Sequence, residues 1–85
     1  MNFIDRLQLI ERVDALIKRK GTGSPSQLAL RLGISERSVY AVILSMKELG
    51  APIYYDHYRM SYCYSHEGQF SFSFQLNHIH LATQD

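Results

Sequence analysis

Apolar positions recur every three or four residues in the first fifty positions of this chain and every second residue afterwards. Leu9, Ile10, Val13, Leu16 and Ile17 form one helical stripe, widened by Phe3 and Leu7, and predict a helix over 3–20. Leu28, Ala29 and Leu32 give a shorter stripe, and Val39, Val42, Ile43, Met46 and Leu49 a third. They predict helices over 25–32 and 36–49. The boundaries carry their own chemistry. Ser24 can accept a free backbone N–H, Pro25 stands where no N–H is needed, and Gln27 has the spacing of a capping box. Gly33 can take the left-handed backbone that stops a helix, Ile34 plugs the turn, Ser35 can cap the next helix, and Gly50 ends it. Pro52 then biases Ala51 toward extended backbone.

The period shortens after Pro52. Ile53–Asp56 and Ser61–Tyr64 read as two strands around His57-Tyr58-Arg59-Met60, a hairpin without an Asn-Gly or Asp-Gly turn. Five of the six tyrosines lie here, where a ring can pack while its hydroxyl stays wet. Gln69–Gln75 alternates cleanly, with Phe70, Phe72 and Phe74 on one side and Ser71 and Ser73 on the other, and predicts one more strand. Two short helices across a glycine turn make a helix-turn-helix unit, whose second helix can enter a DNA major groove. The expected fold is therefore α+β: a winged helix-turn-helix, in which a three-helix unit is followed by a β-hairpin wing and one further strand. Thr22, between two glycines, is placed as a very short strand. The domain is expected over 1–75, with 76–85 as a C-terminal tail.

Composition narrows this picture. Eighty-five residues make one small domain, with a core that must be efficient or shared with a second copy. No apolar run is long enough to span a membrane, and the N-terminus, with Asp5 and Arg6, lacks the apolar segment of a signal peptide. The single cysteine, Cys63, allows no internal disulfide, which fits a reducing cytoplasm. Net charge is +1 but unevenly spread: through Gly50, eight basic residues face five acidic ones, and from Ala51 onward Arg59 faces Asp56, Glu67 and Asp85. The helical half is the better match for phosphates. Lys18, Arg19 and Lys20 complement the negative end of the first helix, and reach phosphate only if the fold sets them beside the second helix.

The run LALRLGISERSVYAVILSMKELGAPIYYDHYRMSYCY resembles the N-terminal winged helix-turn-helix domain of bacterial DeoR-like and WYL-type transcriptional regulators. Leu28-Ala29, Leu32, Ile34-Ser35, Met46, Gly50, Pro52-Ile53 and Ser61-Tyr62 carry the likeness. It implies sequence-specific duplex DNA binding and transcriptional control, in a stand-alone small version. Two departures stand out. Ala41-Val42 replaces the Arg-Asp pair often found there, followed by Leu44 at a position often polar. After the wing comes only the Phe-rich stretch and a short tail.

Ser35, Glu36, Arg37 and Ser38 open the recognition helix, the part that reaches base edges. Arg37 is the candidate guanine reader, because its fork matches two acceptors on one base. Ser38, Tyr40, Ala41 and Ser45 extend the candidate interface. Ser26 and Gln27 are candidate phosphate contacts, and Tyr58 and Arg59 would act from the wing tip. Taken singly, each is as well explained by solvated surface or capping. The alternative is a protein-interaction or dimerisation module without DNA binding, burying Ala41, Leu44 and Ser45 or pairing through the phenylalanines. A metal site at His78 and His80 has no supporting ligand at a useful spacing. No nucleophile–base pair, glycine phosphate loop or paired carboxylate motif points to an enzyme. The expected protein is a cytoplasmic bacterial regulator, a homodimer on double-stranded DNA, with no cofactor, no metal and no evident small-molecule ligand.

Overall fold

The computed structural model describes residues 1–72. Three helices, α1 (Phe3–Lys18), α2 (Pro25–Leu32) and α3 (Glu36–Glu48), precede a hairpin of β1 (Ile53–Asp56) and β2 (Ser61–Tyr64). The strands are antiparallel, with Ile53 opposite Tyr64 and Tyr55 opposite Tyr62. This is a winged helix-turn-helix. The helical stripes meet in one core of Leu9, Ile10, Val13, Leu16, Ile17, Leu28, Ala29, Leu32, Val39, Val42, Ile43 and Met46, closed from the hairpin side by Ile53 and Tyr62. Each buried Leu, Ile or Val contributes about 1.5–3 kcal/mol of transfer free energy.

The helix starts follow the sequence signals. The Ser24 hydroxyl accepts the Gln27 N–H at 3.2 Å, and Gln27 Oε1 accepts the Ser24 N–H at 2.8 Å, completing the capping box. Asn2 and Ser35 cap α1 and α3 by accepting the N–H of Asp5 and Ser38, without the reciprocal bond. All three helices stop with one hydrogen-bond pattern. Gly21, Ile34 and Ala51 donate N–H to Leu16, Ala29 and Met46, while the preceding Lys20, Gly33 and Gly50 donate to Ile17, Leu30 and Lys47. The middle residue of such an ending is left-handed. Gly33 and Gly50 supply it freely, but at α1 the position falls to Lys20, with φ +54°. That is why α1 closes two residues short of the expected end. Leu49, expected in the α3 stripe, is exposed because it sits where the helix has already begun to unwind. Phe3, expected to widen the α1 stripe, is also exposed.

The expected strand over 69–75 is not formed in its described part. Gln69–Phe72 has no ladder partner, because the sheet ends at two strands. The side-chain alternation nevertheless operates. Phe70 packs on the core, and Phe72 stacks on it with ring centroids 5.4 Å apart and planes 13° apart. Positions 73–75, the proposed tail at 76–85, and His78 and His80 within it lie outside the described residues.

Thr22 is not in a strand either, yet it docks the wing. Its N–H donates to the Ser61 hydroxyl at 3.2 Å, and its Oγ1 accepts the Tyr62 N–H at 2.9 Å. Both Thr22 and Ser61 are 0% exposed. One side chain thus replaces the ladder bonds that a short strand would have made to β2. At the other end of β2, the Tyr64 hydroxyl donates to Asp14 Oδ1 at 2.5 Å, tying the wing base to α1.

Removing the Thr22 hydroxyl leaves the Tyr62 N–H without its partner in a dry site, at roughly 1–3 kcal/mol per orphaned group. Thr22→Val, which keeps the shape, is expected to lower unfolding stability by about 2–3 kcal/mol, and Thr22→Ser by much less, as read from urea midpoints at constant slope.

Candidate nucleic-acid interface

The apolar stripe of α3 turns Val39, Val42, Ile43 and Met46 inward. At 3.6 residues per turn, the opposite face must carry Arg37, Tyr40, Ala41, Leu44 and Glu48, with Lys47 at its edge, and all six are exposed. Val42 is core, so of the Ala41-Val42 pair only Ala41 belongs to the outward face. Ser38 and Ser45 are half-buried at its margin.

The N-terminus of α3 is partly occupied by its own side chains. The Ser35 hydroxyl accepts the Ser38 N–H at 3.0 Å and donates to the Ser38 hydroxyl at 3.0 Å, which leaves the Ser38 proton available. The Tyr40 hydroxyl donates to Glu36 Oε1 at 3.4 Å, one turn back. Among the described residues the chain's ion pairs are Lys18–Asp14 at 3.1 Å and Arg59–Asp56 at 3.3 Å. Arg37 enters neither of them, and no side-chain hydrogen bond holds it within the described chain. Its guanidinium is presented at the helix start with no donor used among the described residues. Lys47 is exposed and unpaired in the same sense.

The other expected residues divide by position. Ser26 and Gln27 are exposed at the start of α2. Gln27 Oε1 is committed to the capping box, so its NH2 group is the free end. At the wing tip Tyr58 is 98% exposed. Asp56 Oδ1 accepts the N–H groups of Tyr58 and Arg59 at 2.9 and 3.1 Å, and its other oxygen takes the Arg59 side chain. This carboxylate shapes a four-residue loop that lacks a glycine, with Met60 left-handed at φ +55°, and it half-neutralises the wing's cation.

Sequence reasoning missed Arg6. Its Nη1 donates to the Ser45 hydroxyl at 3.4 Å, so α1 brings a positive charge beside the middle of α3, where the recognition helix has none of its own. The two residues are 39 positions apart, and no local pattern links them. The triple-basic end of α1 contributes less than its charge implies, since Lys18 is held by Asp14. A cleft of about 350 Å³ lies between the α3 C-terminus and the segment after the wing, lined by Asp14, Tyr64, His66, Glu67 and Phe70 among others. None of the expected interface residues lines it.

The wing carries an aromatic cluster of its own. Tyr55 meets Tyr62 edge-on at 5.0 Å and His57 at 4.9 Å. Burial pushes the Tyr62 hydroxyl up to about 12, helped by the neighbouring Tyr40, Tyr55 and Glu36. Tyr64 is likewise raised, by burial and then by its bond to Asp14.

Helix-turn-helix geometry, an outward α3 and a hairpin wing define the winged helix-turn-helix class of domain. The chain belongs to the HTH domain family, whose model matches residues 6–62. Neither a curated protein nor a solved structure matches the chain. The family binds DNA in transcription regulation. No described helix is long and apolar enough to cross a membrane.

The Tyr62 proton is held more tightly in the fold than in the unfolded chain, where the value is 10.0. The stabilisation is therefore complete below about pH 10 and is lost as pH rises toward 12. Unfolding stability is expected to fall by about 1–3 kcal/mol across that window, and by correspondingly less in Tyr62→Phe, as followed by urea unfolding at stepped pH.

Proposed function

We propose that this protein is a sequence-specific duplex DNA-binding regulator, a small cytoplasmic bacterial relative of the DeoR-like and WYL-type regulators, in which α3 enters the major groove. The observation that carries this reading is Arg37, exposed at the start of the outward face of α3 with no partner within the described chain. An unpaired guanidinium there is free to form the two-pronged contact with guanine O6 and N7. Ser35, Glu36, Ser38, Tyr40, Ala41 and Ser45 complete the groove-facing set. Ser26 and the Gln27 NH2 group lie at a helix N-terminus, where backbone dipoles favour phosphate. Tyr58 and Arg59 reach the flanking backbone from the wing, Arg59 exchanging Asp56 for a phosphate. Arg6 adds a charge to the α1 side of the groove.

A homodimer on two half-sites one helical turn apart is the expected working form. Met1, Phe3 and Ile4, exposed together at the start of α1, favour a second copy there. A protein-contact role for α3 draws its support from Ala41 and Leu44, exposed at the centre of the outward face, with Ser45 half-buried beside them. Leu44→Glu would dissolve such an interface and spare contacts made by the helix start.

Fluorescence anisotropy of a labelled random duplex, titrated at several salt concentrations, tests the reading. Affinity is expected to fall steeply with salt, with a log–log slope of about −0.9 per phosphate neutralised. On a selected duplex, Arg37→Ala is expected to cost about 1–3 kcal/mol and to relax base preference at one position. Absence of binding at low salt would instead assign the domain to protein contact.

A further inference from the structure

The middle of the outward α3 face is apolar, and each of its ends carries one basic and one acidic residue, Glu36 with Arg37 and Lys47 with Glu48. Arg37 stands at the start, Ala41 and Leu44 at the centre, and Lys47 at the end, all exposed. Arg6 flanks the centre through its bond to Ser45. Glu36 accepts the Tyr40 hydroxyl at 3.4 Å and turns toward the side of the helix, while Glu48 sits on the outward face one turn beyond Leu44. A protein groove would suit the apolar centre alone. Arg37 and Arg6, neither in an ion pair among the described residues, add cations on one side of that centre, which suits a surface anionic at its edges and apolar within.

The major groove of duplex DNA offers that combination at one base. Thymine projects its C5-methyl group into the groove, and alanine and other apolar side chains contact it there, while phosphates line both walls. We propose that Ala41 and Leu44 read thymine methyl groups, so that the half-site pairs a guanine met by Arg37 with thymine met by Leu44. This rests on the DNA-binding reading above and adds the identity of the bases. Helix rise sets the spacing. Seven residues from Arg37 to Leu44 advance the helix by about 10.5 Å at 1.5 Å per residue. For a helix lying along the groove that is about three base steps of 3.4 Å. A base edge read by hydrogen bonds needs a donor or an acceptor on the protein side. Ala41 and Leu44 have neither to offer, so a methyl group is the feature of a base edge that they can recognise.

The test begins with selection of duplexes by the full chain from a randomised pool. The enriched sequence is then resynthesised with deoxyuridine in place of thymidine, one position at a time, which removes only the methyl group. Burying one methyl group corresponds to about a fourfold change in affinity. The expected result is a loss of about that size at one or two positions roughly three base pairs from the guanine that Arg37→Ala releases. In Leu44→Gln, an exposed change on a good helix former, the thymine–uracil difference at the Leu44 position should vanish, while the guanine preference remains. An enriched site bound equally well with thymine or uracil would overturn the inference and leave DNA binding standing. Discrimination that survives in Leu44→Gln would assign the methyl contact to another residue and overturn it equally. Failure to enrich any sequence would overturn both readings and favour a protein partner for this face.

Discussion

The buried hydrogen bonds around Thr22 hold this small fold together as a single unit. The helical core and the hairpin are built from different periodicities and share few large side chains, chiefly Ile53 and Tyr62. A two-stranded sheet has little stability of its own. Thr22 joins the turn after α1 to the start of β2 through both its backbone and its hydroxyl, and Tyr64 repeats the attachment at the strand's end through Asp14. Arg31 Nη1 donates to the Gly21 carbonyl at 2.9 Å and steadies the linker from α2. The wing is thus positioned by polar groups that are costly to leave unpaired in a dry site, which fixes its direction relative to α3 more narrowly than apolar contact would.

Positioning is what the proposed interface needs. The recognition helix has few polar side chains of its own across its middle, and the groups that flank it come from elsewhere: Arg6 from α1, Ser26 and Gln27 from α2, Tyr58 and Arg59 from the wing. Their spacing across the groove is set by the frame. Within the wing, the edge-on contact of Tyr55 with its cross-strand partner Tyr62 adds to the pairing of the two strands.

Much of this was legible in the chain. The helical stripes, the caps at Ser24 and Ser35, the left-handed Gly33 and the hairpin strands are local features, and local features leave local signatures. What escaped reading involves residues far apart or a competition between neighbours. The left-handed end of α1 falls on Lys20 although Gly21 stands next to it, because the register of the last helical turn decides the position. Phe70 and Phe72 alternate as a strand would, but periodicity reports which side a chain presents and says nothing of whether a neighbouring strand is there to pair with. Arg6 meets Ser45, and Thr22 meets Ser61, across 39 positions. On the candidate interface, exposure confirmed the outward face of α3 that spacing implied. The committed oxygen of Gln27 and the carboxylate beside Arg59 needed coordinates to be seen.

Cys63 lies on β2 between the two attachments, 1% exposed and the chain's single thiol. A thiol-reactive dye can reach it only when the hairpin lifts from the frame. The labelling rate is therefore a clock for that motion, available without introducing any probe. Because the same strand is held at Thr22 and at Asp14, the clock reports how often both attachments are open at once. It would run slower wherever a bound duplex holds the wing and α3 together.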